Sequence, residues 1–173
     1  TLIRATEGTI LDRLPPRMAV RRGAEVELPH ILVLYDDPDH TVLAPVHAQR
    51  DRLPVAYDVE LMAGSGHLTG RLVADAATQA AVLAALDALV APDADAPLWF
   101  AMGDGNHSLA AAKGVWEELK ASGAASDHPA RYALVELVNL HDASLVFEPI
   151  HRVVFDAPDL AAALPGLLGG ADI

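Results

Sequence analysis

Apolar positions along this chain recur at two spacings, one suited to strands and one to helices. Leu98-Trp99-Phe100-Ala101-Met102 is a run short enough for a buried strand. Beyond the polar turn Gly103-Asp104-Gly105-Asn106-His107-Ser108, residues Leu109, Ala112, Trp116 and Leu119 recur near the helical period, and Gly123 supplies a stop. A second helical stripe, Val82, Leu83, Leu86, Leu89 and Val90, predicts a helix over 76–90 capped by Asp75. Ile31 to Tyr35 is a β-rich run closed by Asp36-Asp37-Pro38-Asp39, and Thr41 to Leu43 is expected to return as its hairpin partner. Arg50 to Pro54 reads as an irregular connection. Tyr57 to Met62 and His67 to Val73 read as strands on either side of Ala63-Gly64-Ser65-Gly66. Arg131 to Asn139 is strand-like, and Ser144 to Phe147 is expected to continue extended. Thr6 to Leu14 predicts a short helix stopped by Pro15-Pro16, and a terminal alanine-leucine helix starts near Asp156 and Pro158.

Strands outnumber crossover helices in this reading, and adjacent strands look hairpin-connected. That favours an α+β fold, a mixed β-sheet with packed helices, over a doubly wound parallel sheet. The 173 residues fit a single domain, 1–173. The expected core includes Leu98, Phe100, Leu109, Ala112, Trp116 and Leu119, so truncating Trp116 would cost roughly 3–5 kcal/mol.

Composition narrows the chemistry. Hydrophobic residues make up 52% and charged residues 21%, which is a globular balance. No apolar run reaches a membrane span, so no membrane partner is expected. Zero cysteines exclude disulfides and thiolate catalysis. The formal charge of −12 argues against a nucleic-acid partner, since phosphate counterion release needs a basic face. The basic residues that do cluster are Arg13, Arg17, Arg21 and Arg22. A cytoplasmic location is the default expectation, and oligomeric state is left open. The chain starts at Thr1 without an initiator Met or a signal pattern, and reads as a fragment lacking an amino-terminal part.

The turn at 103–108 carries the most chemistry. A strand, a glycine turn and a helix start aim backbone N–H groups and the positive helix end at an anion. Gly103 and Gly105 permit close approach, and Asn106 and Ser108 can contact an oxygen. Asp104, Asn106 and Ser108 can equally be helix caps. Asp104 is the candidate catalytic and metal-contacting carboxylate. His107 is the candidate phosphate contact, its protonation expected to strengthen binding as pH falls. Gly64-Ser65-Gly66 with His67 reads either as a plain hairpin tip or as a second anion-binding nest. Asp104 and His107 with His141 or His151 have ligand types suited to Zn²⁺ or Mn²⁺, though without motif spacing. Glu7 between Arg4 and Arg13 is either a solvated helix face or a positioned carboxylate.

GDGNHSLAAAK resembles the DGHHR or DGHTR turn of the ParB/sulfiredoxin-like superfamily. The stretches at 4–17, 28–45, 57–70 and 137–155 follow in the order seen in the domain-of-unknown-function family 1015, so the resemblance covers most of the chain. It implies a ParB/sulfiredoxin-like core with additions. The superfamily includes a free-serine kinase with an amino-terminal glutamate base, which brings Glu7 forward as a catalytic candidate, and nucleotide-binding partition proteins. The implied ligand is a nucleotide, ATP or ADP with Mg²⁺, held by Gly103, Gly105, Asn106, Ser108, His151 and Arg152. The implied activities are phosphotransfer to a small hydroxylated metabolite, or nucleotide-responsive binding without turnover. This chain departs from the motif at Asn106, where the first histidine stands, and at Ser108, where the arginine stands. The second change removes a bidentate phosphate clamp.

Overall fold

The computed structural model describes residues 3–5, 8–28, 30–90, 98–146, 155–156 and 159–167. Four strands, β1 (Ile3–Arg4), β5 (Phe100–Asp104), β2 (Leu32–Tyr35) and β6 (Glu136–Asn139), form the main sheet in that spatial order. β1 runs parallel to β5, β5 antiparallel to β2, and β2 parallel to β6. Strands β3 (Val55–Glu60) and β4 (His67–Arg71) pair antiparallel as a separate two-stranded sheet. The helices are α1 (Leu14–Arg22), the single turn α2 (Ala44–His47), α3 (Ala76–Ala88), α4 (Asn106–Ala121) and α5 (Leu160–Leu167). The fold is α+β with a mixed sheet. Among the described residues no helix is long and apolar enough to cross a membrane.

Strand alternation decides where the core sits. Ile31, Val33 and Tyr35, at every second position, are buried, whereas Leu32 and Leu34 are half-buried. Val33 lies opposite Met102 across β2 and β5, and with Ile31 they pack against Leu109 of α4. Tyr35, Val42 and Leu86 form a second cluster with Val82 and Leu89 from α3 and the residue following it. Phe100 touches both clusters, so α3 and α4 pack through one continuous layer. Burying each such aliphatic side chain contributes on the order of 1.5–3 kcal/mol.

Local signals set the helix ends. The Asp75 carboxylate accepts the Thr78 N–H at 2.7 Å, the expected N-cap of α3. Gly123, with φ +92°, ends α4: its N–H and that of Ala124 donate to the carbonyls of Lys120 and Leu119. This is the two-bond closure that a left-handed glycine permits.

Several expectations are corrected. Pro15 and Pro16 stop no helix; they open α1, where a missing N–H costs nothing and the fixed φ is already helical. Residues 41–43 are a turn leading into α2, because both edges of β2 are taken by β5 and β6. The strand expected from Arg131 is limited to β6, and Pro129–Arg131 is a single 3-10 turn. Ser144 lies in a turn held by Asp142, which accepts both its N–H and its hydroxyl. Leu83 is exposed, so the α3 stripe is narrower than its sequence suggests. In the central motif Ala112 is buried, but Leu98 is exposed, and Phe100, Leu109, Trp116 and Leu119 are half-buried. Trp116 stacks on His128 with ring centroids 6.5 Å apart. Trp116→Ala is therefore expected to cost about 2 kcal/mol, below the range for fully buried aromatics. Urea unfolding checks this, and a loss above about 4 kcal/mol would mean that the ring carries more of the core than its exposure implies.

Candidate functional site

The strand-turn-helix predicted around residue 104 is formed. β5 ends at Asp104, Gly105 adopts φ +82° and ψ +22° as N-cap, and α4 begins at Asn106. The conformation requires glycine: a Cβ there would stand 3.0 Å from both the His30 carbonyl oxygen and the Ile31 Cα. None of the polar candidates is the N-cap residue. Asp104 is exposed and accepts the Gly105 N–H at 2.7 Å. Asn106 and His107 are buried, and His107 Nε2 accepts the Ile10 N–H at 3.0 Å. That nitrogen is therefore unprotonated, and placing a proton on it would break the contact with Ile10 instead of adding a phosphate donor. At Nε2, His107 anchors the chain entering α1. Gly103 is exposed, with Leu32 and Leu34 against its open side.

Sheet register shows which segments share this end of the molecule. Asp104 pairs with Leu32, and Leu32 with Glu136, so the end of β5 and the beginnings of β2 and β6 lie together. His30, just before β2, places Nε2 2.8 Å from the Ser108 hydroxyl, while Nδ1 lies 3.0 Å from the Leu28 carbonyl. A carbonyl only accepts, so Nδ1 carries the proton, and in the neutral ring Nε2 accepts from Ser108.

Beyond Ser108 opens a groove of about 1040 Å³ between α1, α4, residues 24–28 with His30, and residues 128–130 with Tyr132. Val20, Val26, Leu28, Val115 and Tyr132 give it an apolar lining. Along its walls α1 and α4 run in the same direction: Ile10 meets His107, Met18 meets Gly114, and Arg22 meets Glu118. The two helices thus keep a sequence offset of 96 or 97. Arg22 forms a two-bond fork with Glu118, both at 2.8 Å, which holds that carboxyl below its ordinary range. Arg21 pairs with Glu27 at 2.6 Å and lowers the Glu27 carboxyl against the opposing effect of burial. Arg17 has no carboxylate partner among the described residues. Its Nη1 donates to the Arg13 carbonyl at 3.0 Å, folding the guanidinium back toward the start of α1. By the offset, Arg13 is level with residues 109–110, and Arg17 lines the groove together with His30 and Ser108.

The remaining candidates lie elsewhere. His67 is held by Glu60 and Asp58, which places two carboxylates beside the hairpin tip. No hydrogen bond or ion pair joins this tip to the 103–108 turn among the described residues. His141 contacts Asp36, past the far end of β2, while Asp104 pairs at the near end. The metal set with His141 is therefore not assembled. Among the described residues no group of three or more His, Asp or Glu side chains is arranged to hold a metal. Glu7, His151 and Arg152 lie outside the described residues. Sequence reasoning did not place His30, which carries no motif, or Arg17, read only as part of a basic cluster, among the site candidates. Arg17 and Arg21, four apart, were the available signal, because that spacing puts both on the helix face that lines the groove.

No curated protein and no solved structure matches the chain. The family model described as a protein of unknown function, DUF1015, matches residues 1–164. With the ordered motifs and the match spanning nearly the whole sequence, the chain belongs to the DUF1015 family.

Proposed function

We propose that this chain binds a phosphorylated small molecule, with a nucleotide as first candidate. Its phosphate lies at the start of α4 and its body in the adjoining groove. The observation that carries this reading is the groove itself: Ser108 and His30 meet at its edge, and Arg17 lines the same groove. An oxyanion at that place gains the positive helix end and a guanidinium fork, and the Ser108 hydroxyl once it turns from His30. The arginine missing from the turn at Ser108 is then supplied by α1. The likeness of the turn to the ParB/sulfiredoxin-like motif supports the same ligand class. A Mg²⁺ ion would arrive on the phosphates, with exposed Asp104 as a carboxylate for its outer side.

Binding without turnover is the better supported form, because His107 is committed at Nε2 to Ile10 and Asp104 to the Gly105 amide. Phosphotransfer to a small hydroxylated metabolite is the second reading, with Asp104 orienting the acceptor.

Calorimetric titration with ATP, ADP, CTP and inorganic phosphate, with and without Mg²⁺, tests both. Arg17→Ala is expected to weaken nucleotide binding roughly ten- to a hundredfold, the value of one charge-assisted hydrogen bond. His30→Ala should weaken it less. At a nucleotide concentration a hundredfold over Kd, the wild type gains about 2.7 kcal/mol of stability. Absence of binding by the wild type, or variants that bind like it, would refute the site. Release of phosphate onto hydroxylated acceptors would move the conclusion to the transferase.

A further inference from the structure

We propose that the β3–β4 hairpin is a proton-held element, ordered while His67 bridges Asp58 and Glu60 and loosened when that bridge loses its proton. The geometry comes first. His67 lies opposite Glu60 in the ladder, and Asp58 lies two residues back on the same face. Nδ1 stands 2.7 Å from Glu60 Oε1, and Nε2 contacts Asp58 Oδ1. Ionised carboxylates only accept, and a neutral imidazole has one N–H. Satisfying both contacts therefore takes one more proton than a neutral ring and two carboxylates hold. Without it, one ring nitrogen turns a lone pair toward a carboxylate, and two carboxylates remain near each other on a two-stranded sheet.

That sheet has little else to hold it. Its other face presents Tyr57, Val59 and Leu68, all exposed, so no buried core supports the pairing. Two strands alone are marginal in water. Thr69 donates to Asp58 from the same face, and Arg71, further along β4, donates to the Leu53 carbonyl. No other described element brings a charged side chain into contact with His67. Glu60 first and Asp58 second raise the His67 titration above its ordinary range, which agrees with the geometry. The sign follows: the bridge is fully present below the unfolded-state value near 6.5 and is lost as pH rises through the higher folded-state value.

Tyr57 supplies a built-in reporter. It is the cross-strand neighbour of Gly70, and its ring lies over that residue, where an added Cβ would run into Tyr57 Cζ. Gly70 Hα in the paired hairpin is therefore shifted by the ring current. The experiment follows Gly70 Hα, the His67 ring proton and hairpin amide exchange, normalised to intrinsic rates, by NMR of the whole chain from pH 5.5 to 9. In wild type the Gly70 shift should decay with the midpoint of the His67 titration, and β3–β4 amides should exchange about two- to fivefold faster per lost pairing. His67→Gln should remove the pH dependence and leave exchange uniformly fast. Asp58→Asn combined with Glu60→Gln, which keeps the ring, should also abolish it. A Gly70 shift constant across the range in wild type would overturn the proposal. So would the same pH dependence surviving in either variant.

Discussion

Asp37→Ala is expected to lower stability by about 3 kcal/mol and the melting temperature by roughly 6–12 °C, a larger loss than any surface change would give. The carboxylate is 1% exposed and sits where the chain leaves β2. Its two oxygens accept the Val42 N–H at 2.8 Å and the Thr41 hydroxyl at 3.1 Å. Its backbone is held in turn by Asn139, which accepts the Asp37 N–H and donates to the Asp37 carbonyl. One acidic residue thus closes the 37–42 turn and ties it to the end of β6. Alanine leaves the buried Val42 N–H without its acceptor and loosens Val42, which belongs to the α3 cluster. Burial by itself would raise the Asp37 carboxyl. The Val42 and Thr41 bonds and nearby His40 more than offset this and hold it below its ordinary value. Its stabilising contribution is therefore complete above about pH 4 and lost as pH falls through the lower folded-state value. Denaturant midpoints at pH 7 and pH 3 measure both effects. A loss under about 1 kcal/mol at pH 7, or a variant as acid-sensitive as wild type, would show that the turn closes without this carboxylate.

Gly105→Ala is the second large expected effect, about 2–3 kcal/mol. A left-handed conformation costs a non-glycine residue roughly 1–2 kcal/mol. The added methyl also meets two backbone atoms, the His30 carbonyl oxygen and Ile31 Cα, each at 3.0 Å. Neither can rotate away as a side-chain end would. Relief requires moving His30 or the start of α4, and those are the two sides of the His30–Ser108 contact. The variant should therefore lose nucleotide affinity along with stability, whereas a substitution at exposed Gly123 should affect stability alone. A shift in denaturant midpoint with unchanged slope would assign the loss to the native state. A Gly105→Ala protein as stable as wild type would rule out the strained turn as the determinant of this site's shape.

Elements with a local cause were legible in the sequence. Asp75 capped α3 because an acceptor in front of an apolar helical stripe acts within three residues. Gly123 ended α4 because it can turn left-handed there. The β3–β4 hairpin and the strand-turn-helix at 100–108 followed from alternation, from glycine and from helical period. The direction of the prolines at 15 and 16 was misread, since the same ring that stops one helix opens another, and only the downstream pattern distinguishes the two.

Tertiary structure decided what no local rule contains. Pairing of both edges of β2 with distant strands, antiparallel to β5 and parallel to β6, displaced the hairpin expected at 41–43. The parallel course of α1 beside α4 put Arg17 on the groove that Ser108 also lines, and the register at Leu32 brought His30 to Ser108. Residues 30 and 108 are joined through long-range packing, whose partners are set by which apolar faces meet. A sequence shows the face of each element but not the element that covers it. The sequence by itself therefore determined that a glycine turn opens a helix after a strand; only the packed fold determined which histidine meets Ser108 there.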